Sequence, residues 1–293
     1  MAASPLPLRQ RAEQLAATLP PLLVAAEQVA ATVAQGVHGR RRVGQGETFW
    51  QFRDYDYGDQ PQSIDWRQTA KSDRVFVREM EWEAAQSVWI WRDTSDSMAW
   101  RSAERYPPKR ERADLLTLAL AAMLLRSGER VALLGTGASP SSGRTALSRL
   151  AAVIERRDGD EAGLPAIRPL PRNAQVVLMG DFLAPLEAID RMVRGYAEAG
   201  VKGFLLQILD PAEEILPYDG RIRFEGTEGE EPWLLSRVES VRGDYAARLQ
   251  AHREGLRALA RTANWIFASH HTDQPAQSAL LTLYTALTRR TRR

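Results

Sequence analysis

The stretch Val88-Trp89-Ile90-Trp91-Arg92-Asp93-Thr94-Ser95-Asp96-Ser97-Met98 runs from an apolar strand straight into a loop of carboxylates and hydroxyls. Short apolar runs of the same kind recur down the chain and alternate with longer segments of helical period. Strands are read at 88–91, 130–134, 174–179, 202–209 and 265–268, with a weaker one at 221–225; helices are read at 113–126, 146–155, 186–199, 245–262 and 276–288. Strands this apolar are satisfied only when both faces are covered. The alternation therefore predicts an α/β fold of three layers, a mostly parallel Rossmann-like sheet between helices.

Working outward, residues 40–83 differ in kind: they are polar and rich in aromatic and acidic side chains, with a short alternating strand at 74–78. Before them, 9–35 reads as helix split by Pro20, its second piece striped by Leu23, Val24, Val29 and Val33. The predicted organisation is an N-terminal helical and short-strand extension, 1–83, packed on a main domain, 84–293. The composition, 44% hydrophobic and 26% charged over 293 residues, excludes long disorder. The absence of cysteine excludes disulfide scaffolds, thiol catalysis and thiolate metal sites. The formal charge is only +2, and the basic knots at 40–42 and 289–293 lack interleaved aromatics, so no nucleic-acid partner is expected. The longest apolar run, 115–125, is too short to cross a bilayer, so no integral membrane segment is expected; with no export signal visible, the expected location is cytoplasmic.

Parallel α/β sheets bind ligands beyond the carboxyl ends of their strands. There, Asp93, Ser95 and Ser97 alternate along one loop, an all-oxygen arrangement suited to a hard ion such as Mg²⁺ or Mn²⁺. The strand at 174–179 ends in Gly180-Asp181, and Ser141, Ser142 and Thr145 supply hydroxyls before a helix. Short polar side chains also cap helices and turns, which is the structural alternative for each of them. His270, His271 and Asp273 follow the last strand. They are read as polar loop residues or as hydrogen-bond partners behind the ligands. As a base acting on Ser95 or Ser97, one of the histidines would instead make a hydrolase, but the chain has no G-x-S-x-G elbow. Neither Gly44-x-Gly46 nor Gly226-x-x-Gly229 has the spacing of a phosphate loop, so no nucleotide is expected.

Asp93-x-Ser95-x-Ser97 resembles the metal-ion-dependent adhesion site (MIDAS) of von Willebrand factor A domains, in which Thr145 and Asp181 would complete the ligand set. Upstream, Phe52-Arg53-x-Tyr55-x-x-Gly58-Asp59-x-x-Gln62-x-Ile64-Asp65-Trp66, with Ala70-Lys71 and Val77-Arg78, is similar to the signature of the DUF58 family, which pairs such a segment with a von Willebrand A-like domain. The pattern departs at Gln62 and Lys71, where arginine is usual. The resemblance implies a non-catalytic, metal-dependent interaction module, an adaptor or chaperone-like partner of a MoxR-type AAA+ ATPase with an unidentified protein client. Mg²⁺ is the implied ion, with Mn²⁺ and Ca²⁺ as alternatives; a metal-dependent phosphoesterase is the alternative function. Within the signature, Arg53, Asp54, Asp56, Asp59, Asp65 and Arg67 are expected to form an ion-pair network on an apolar base of Phe52, Tyr55 and Trp66, latching the segment to the sheet.

Overall fold

A computed structural model describes residues 43–44, 48–56, 59, 64–71, 74–81, 87–156, 163–227 and 231–289. The helix expected at 9–35 and the signature positions Gly58 and Gln62 lie outside the described residues. The signature segment forms an antiparallel sheet of β1 (Val43–Gly44), β2 (Thr48–Asp54) and β3 (Phe76–Glu81) in the order β1-β3-β2. Between β2 and β3 lies the single turn α1 (Trp66–Thr69), whose N-cap Asp65 accepts a hydrogen bond from Gln68 N at 2.9 Å.

The main sheet follows the alternation read in the sequence. It comprises β4 (Ser87–Arg92), β5 (Arg130–Leu133), β6 (Gln175–Gly180), β7 (Lys202–Leu209) and β10 (Ile266–His271), all parallel, in the order β10-β7-β6-β4-β5. One cross-strand row is Leu133, Ile90, Val177, Phe204 and Ile266. That row faces a core built with α2 (Lys109–Arg126), α3 (Arg144–Glu155) and α7 (Ala276–Arg289). The alternate residues Trp91, Val176, Leu178 and Leu205 face the opposite core, with α4 (Leu186–Glu198) and α6 (Arg242–Thr262). Period-two alternation between two apolar cores explains why these strands read as continuous hydrophobic runs. Among the described residues no helix is long and apolar enough to cross a membrane.

Several boundaries differ from expectation. β10 continues to His271, so His270 and His271 are strand residues and not loop residues. The weak strand at 221–225 is β8 (Ile222–Phe224), which pairs antiparallel with β9 (Trp233–Leu235) as a separate hairpin outside the main sheet. A short helix, α5 (Pro211–Ile215), follows β7 directly.

One close approach fixes the β7–β10 side of the sheet. A Cβ added at Gly203 would stand 2.0 Å from the ring of Trp265, which is buried and donates from its indole nitrogen to Val201 O at 3.2 Å. Gly203→Ala is therefore expected to lose about 1–3 kcal/mol of unfolding free energy through overpacking, read from urea denaturation. A stability equal to wild type would mean that the indole moves aside without cost.

Candidate functional site

The chain passes from β4 to β5 on one side and then returns to β6 on the other, so strand order reverses between β4 and β6. In folds of this kind the loops leaving two such strands diverge, and ligands bind at their carboxyl ends. Asp93 and Asp181 occupy the first position past β4 and β6 respectively. Asp93 N donates to Met179 O at 2.8 Å, continuing the ladder by one rung. Gly180 permits this approach, since a Cβ there would meet Asp93 Cβ at 3.0 Å and the Trp91 ring at 3.3 Å.

The hydroxyls bridge the two carboxylates. Asp93 Oδ1 accepts from Ser95 N at 2.9 Å and from Ser95 Oγ at 2.6 Å, an Asx-type turn that curls the loop back on itself. Ser95 Oγ lies 3.1 Å from Ser97 Oγ, and Ser97 Oγ donates to Asp181 Oδ2 at 2.8 Å. Asp93, Ser95 and Asp181 are buried. Asp181 is oriented by Leu183 N, which donates to its Oδ1 at 3.3 Å, and by buried Gln207, which donates to its backbone carbonyl at 3.0 Å. Phe182 between them has φ 49°, a left-handed conformation uncommon for a bulky residue, and its carbonyl lies 2.7 Å from His252 Nε2.

The first turn of α2 sets a row of cations against these loops. Positive charge in the first turn of a helix is disfavoured by the helix dipole. Here each cation is engaged by acceptors on other elements. Lys109 Nζ donates to Asp181 Oδ2 at 3.0 Å and to Glu213 Oε1 at 2.6 Å. Arg110 donates to the carbonyls of Thr94 and Ser95 at 2.6 and 2.9 Å. Arg112 reaches His270 Nε2 and Thr272 O, both at 2.8 Å, and also the carbonyl of Gln274. Glu213 is set by a capping box at the start of α5, its Oε2 accepting from Asp210 N at 2.7 Å. The Asp210 carboxylate in turn accepts from Ala212 N and from Ser102 N in the loop beyond β4. Burial alone would lower the Lys109 pKa, but the Asp181 and Glu213 carboxylates outweigh it and hold the ammonium above its ordinary value.

Among the expected site residues, Asp93, Ser95, Ser97 and Asp181 come together, and Thr145 does not join them. Thr145 is exposed in the first turn of α3 and makes none of the described hydrogen bonds. Ser141, shortly before it, pairs with Val131 near the amino end of β5, whereas the cluster lies past the carboxyl ends. His270 is buried against Arg112. His271 Nε2 lies 3.2 Å from Glu214 Oε2, and Arg253 holds the same carboxylate. The Arg253 hydrogen bond is the main cause that keeps Glu214 below the usual carboxylate range. Asp273 is exposed in the turn that follows. Lys109 and Glu213 were not singled out in the sequence.

The signature segment meets the expectation in part, in its Arg53–Asp59 ion pair. Arg53 Nη2 donates to both oxygens of Asp59, at 2.8 and 3.0 Å, and Asp59 also accepts from Asp56 N at 2.8 Å, so this pairing closes a turn within the segment. Ile64 bridges to Val77, and Asp65 N donates to Phe76 O at 2.8 Å. Phe52, Tyr55 and Trp66 do not form a buried apolar base: all three are exposed, Trp66 by 67%. Phe52 stacks edge-on against Phe76, with ring centroids 6.2 Å apart.

Chemically, the oxygens of Asp93, Ser95, Ser97 and Asp181 form a run with successive spacings of 2.6, 3.1 and 2.8 Å. Carboxylate and hydroxyl oxygens are the ligand types a hard cation takes, so the donor set fits such an ion in type. Among the described residues no three His, Cys, Asp or Glu side chains gather into a metal-holding group; the set here is two carboxylates and two hydroxyls.

Fold and site thus define a Rossmann-like α/β protein with a polar constellation at its topological switch point. The family described as "Protein of unknown function DUF58" matches residues 51–255, more than half of the chain, and the protein belongs to that family. It is 27% identical over 279 residues to the uncharacterized protein Rv1480 of Mycobacterium tuberculosis, covering 89% of this chain and 86% of the relative. The uncharacterized protein Mb1516 of Mycobacterium bovis matches to the same extent, 27% over 279 residues with 89% and 86% covered. Among solved structures, the conserved hypothetical protein BatB from Bacteroides thetaiotaomicron is similar with a TM-score of 0.42 and 14% identity, covering 71% of this chain and 100% of that one. An aerotolerance-related membrane protein from Bacteroides fragilis gives a TM-score of 0.40 at 14% identity, with 70% and 99% covered.

Proposed function

We propose that the main domain is a von Willebrand A-like, non-catalytic interaction module that holds a divalent cation, Mg²⁺ first, on Asp93, Ser95, Ser97 and Asp181, and serves as an adaptor for a MoxR-type AAA+ ATPase. The observation that carries the reading is the continuous run of four oxygens joining the β4 and β6 loops at the switch point. Bound there, the cation supplies a charge that a carboxylate on the protein partner completes. This chain's part is to present the oxygens. Asp93 and Asp181 bring negative charge from two strands, Ser95 and Ser97 keep lone pairs available while donating their protons, and Gly180 and Gln207 hold the two loops in register.

Asp93→Asn keeps an acceptor for Ser95 and removes the charge. It is expected to weaken Mg²⁺ binding at least tenfold in calorimetry and to abolish chelator-sensitive capture of a purified MoxR-type ATPase, with the unfolding midpoint little changed. Capture that is identical for both proteins, with and without chelator, would reject the metal-bridge reading. Phosphoester turnover lost in Asp93→Asn would assign the site to a hydrolase instead.

A further inference from the structure

The chain has three lysines; Lys71 and Lys202 are exposed, and Lys109 is buried, with 1% of its surface accessible. Its ammonium rests on Asp181 Oδ2, the oxygen that also accepts the Ser97 hydroxyl. These two donors are not equivalent toward a metal ion. A serine hydroxyl can give its proton to a carboxylate and still offer a lone pair, whereas an ammonium has three donors and no acceptor. Lys109 therefore cannot be a ligand. It supplies the positive charge that Asp181 needs in a buried site, and two cations sharing one carboxylate oxygen repel each other.

Resting on the metal-site reading above, we propose that Lys109 is a tethered counter-cation that competes with the divalent ion for Asp181, setting the affinity of the site. Glu213 is its second seat. The Lys109–Glu213 contact, at 2.6 Å, is shorter than the Lys109–Asp181 contact at 3.0 Å, and Glu213 is itself anchored by the capping box of α5. The ammonium can yield Asp181 to an incoming ion and stay paired. Loading the site thus shifts Lys109 toward α5, whose next residue, Glu214, is bound to Arg253 of α6. Lysine suits this role as a compact charge on a flexible stem; the planar fork of arginine, used at nearly every other basic position, would hold the carboxylate in two places at once.

The test is calorimetric titration of the full chain with Mg²⁺, comparing wild type, Lys109→Met, and the charge-balanced pair Lys109→Met with Glu213→Gln. The pair carries the test if the single variant does not fold, because the side-chain amide introduced by Glu213→Gln still offers an oxygen to Asp210 N. Both variants are expected to bind Mg²⁺ tenfold or more tightly than wild type and to show a larger rise in thermal midpoint on adding Mg²⁺. Adding Asp93→Asn to the pair should erase the gain. Affinity equal to or weaker than wild type, with Asp93→Asn still abolishing it, would overturn the competition and leave the metal site standing. An absence of Mg²⁺ binding in every protein would overturn both.

Discussion

Arg112→Met is expected to lower the unfolding free energy by about 2–4 kcal/mol, from the unpaired buried acceptors it leaves less the relief of a buried charge. Arg112 ties α2 to the end of β10 and the start of α7 through His270 Nε2 and the carbonyls of Thr272 and Gln274. Methionine preserves most of the stem packing, so the loss isolates the hydrogen bonds of the guanidinium. Urea denaturation followed by tryptophan fluorescence reads it directly. A loss below about 1 kcal/mol would mean that the turn after β10 is held by the packing of α7 and not by this cation.

The sheet was legible because burial on both faces writes a run of apolar residues into each strand, as in Val176-Val177-Leu178-Met179, where alternate side chains enter opposite cores. The errors fall where polar residues are satisfied by tertiary partners. β10 runs past the strand expected at 265–268 because Ser269, His270 and His271, though polar, continue the ladder, with His270 accepting from the buried Arg112. The helix expected from 113 begins at Lys109, because the charged turn Lys109-Arg110-Glu111-Arg112 finds its acceptors on other elements. Pro107-Pro108 ahead of it was a usable start signal, and Asp210-Pro211-x-Glu213 spells the capping box of α5 in full.

The site divides along the same line. Asp93, Ser95 and Ser97 are local in sequence, and Asp181 was recoverable as the strand-end carboxylate of a parallel sheet. Lys109 was not, since its partners lie 72 and 104 residues away and only the packing of α2 over the switch point brings them together. The exposure of the signature's aromatics has a related cause. Arg53 and Asp59 close a turn between themselves, and that pairing requires no buried apolar floor.

His270 gives the second large effect, and its sign follows from the same guanidinium. Arginine only donates, so His270 Nε2 is the acceptor and the ring is neutral, with its proton on Nδ1. Burial, then the Arg112 charge, then His271, hold its pKa down at about 3, against an ordinary 6.5. Between those values the unfolded chain takes a proton that the folded chain refuses. The stability is therefore fully present above pH 6.5 and is lost as pH falls toward 3, at about 1.4 kcal/mol per pH unit. His270→Gln, whose amide oxygen can still accept from Arg112, does not titrate. Going from pH 7 to pH 4.5, wild type is expected to lose about 2–3 kcal/mol more unfolding free energy than this variant, measured by urea titration at both pH values. Equal losses would mean that the folded protein accommodates a protonated His270, and that Arg112 swings away from it in acid.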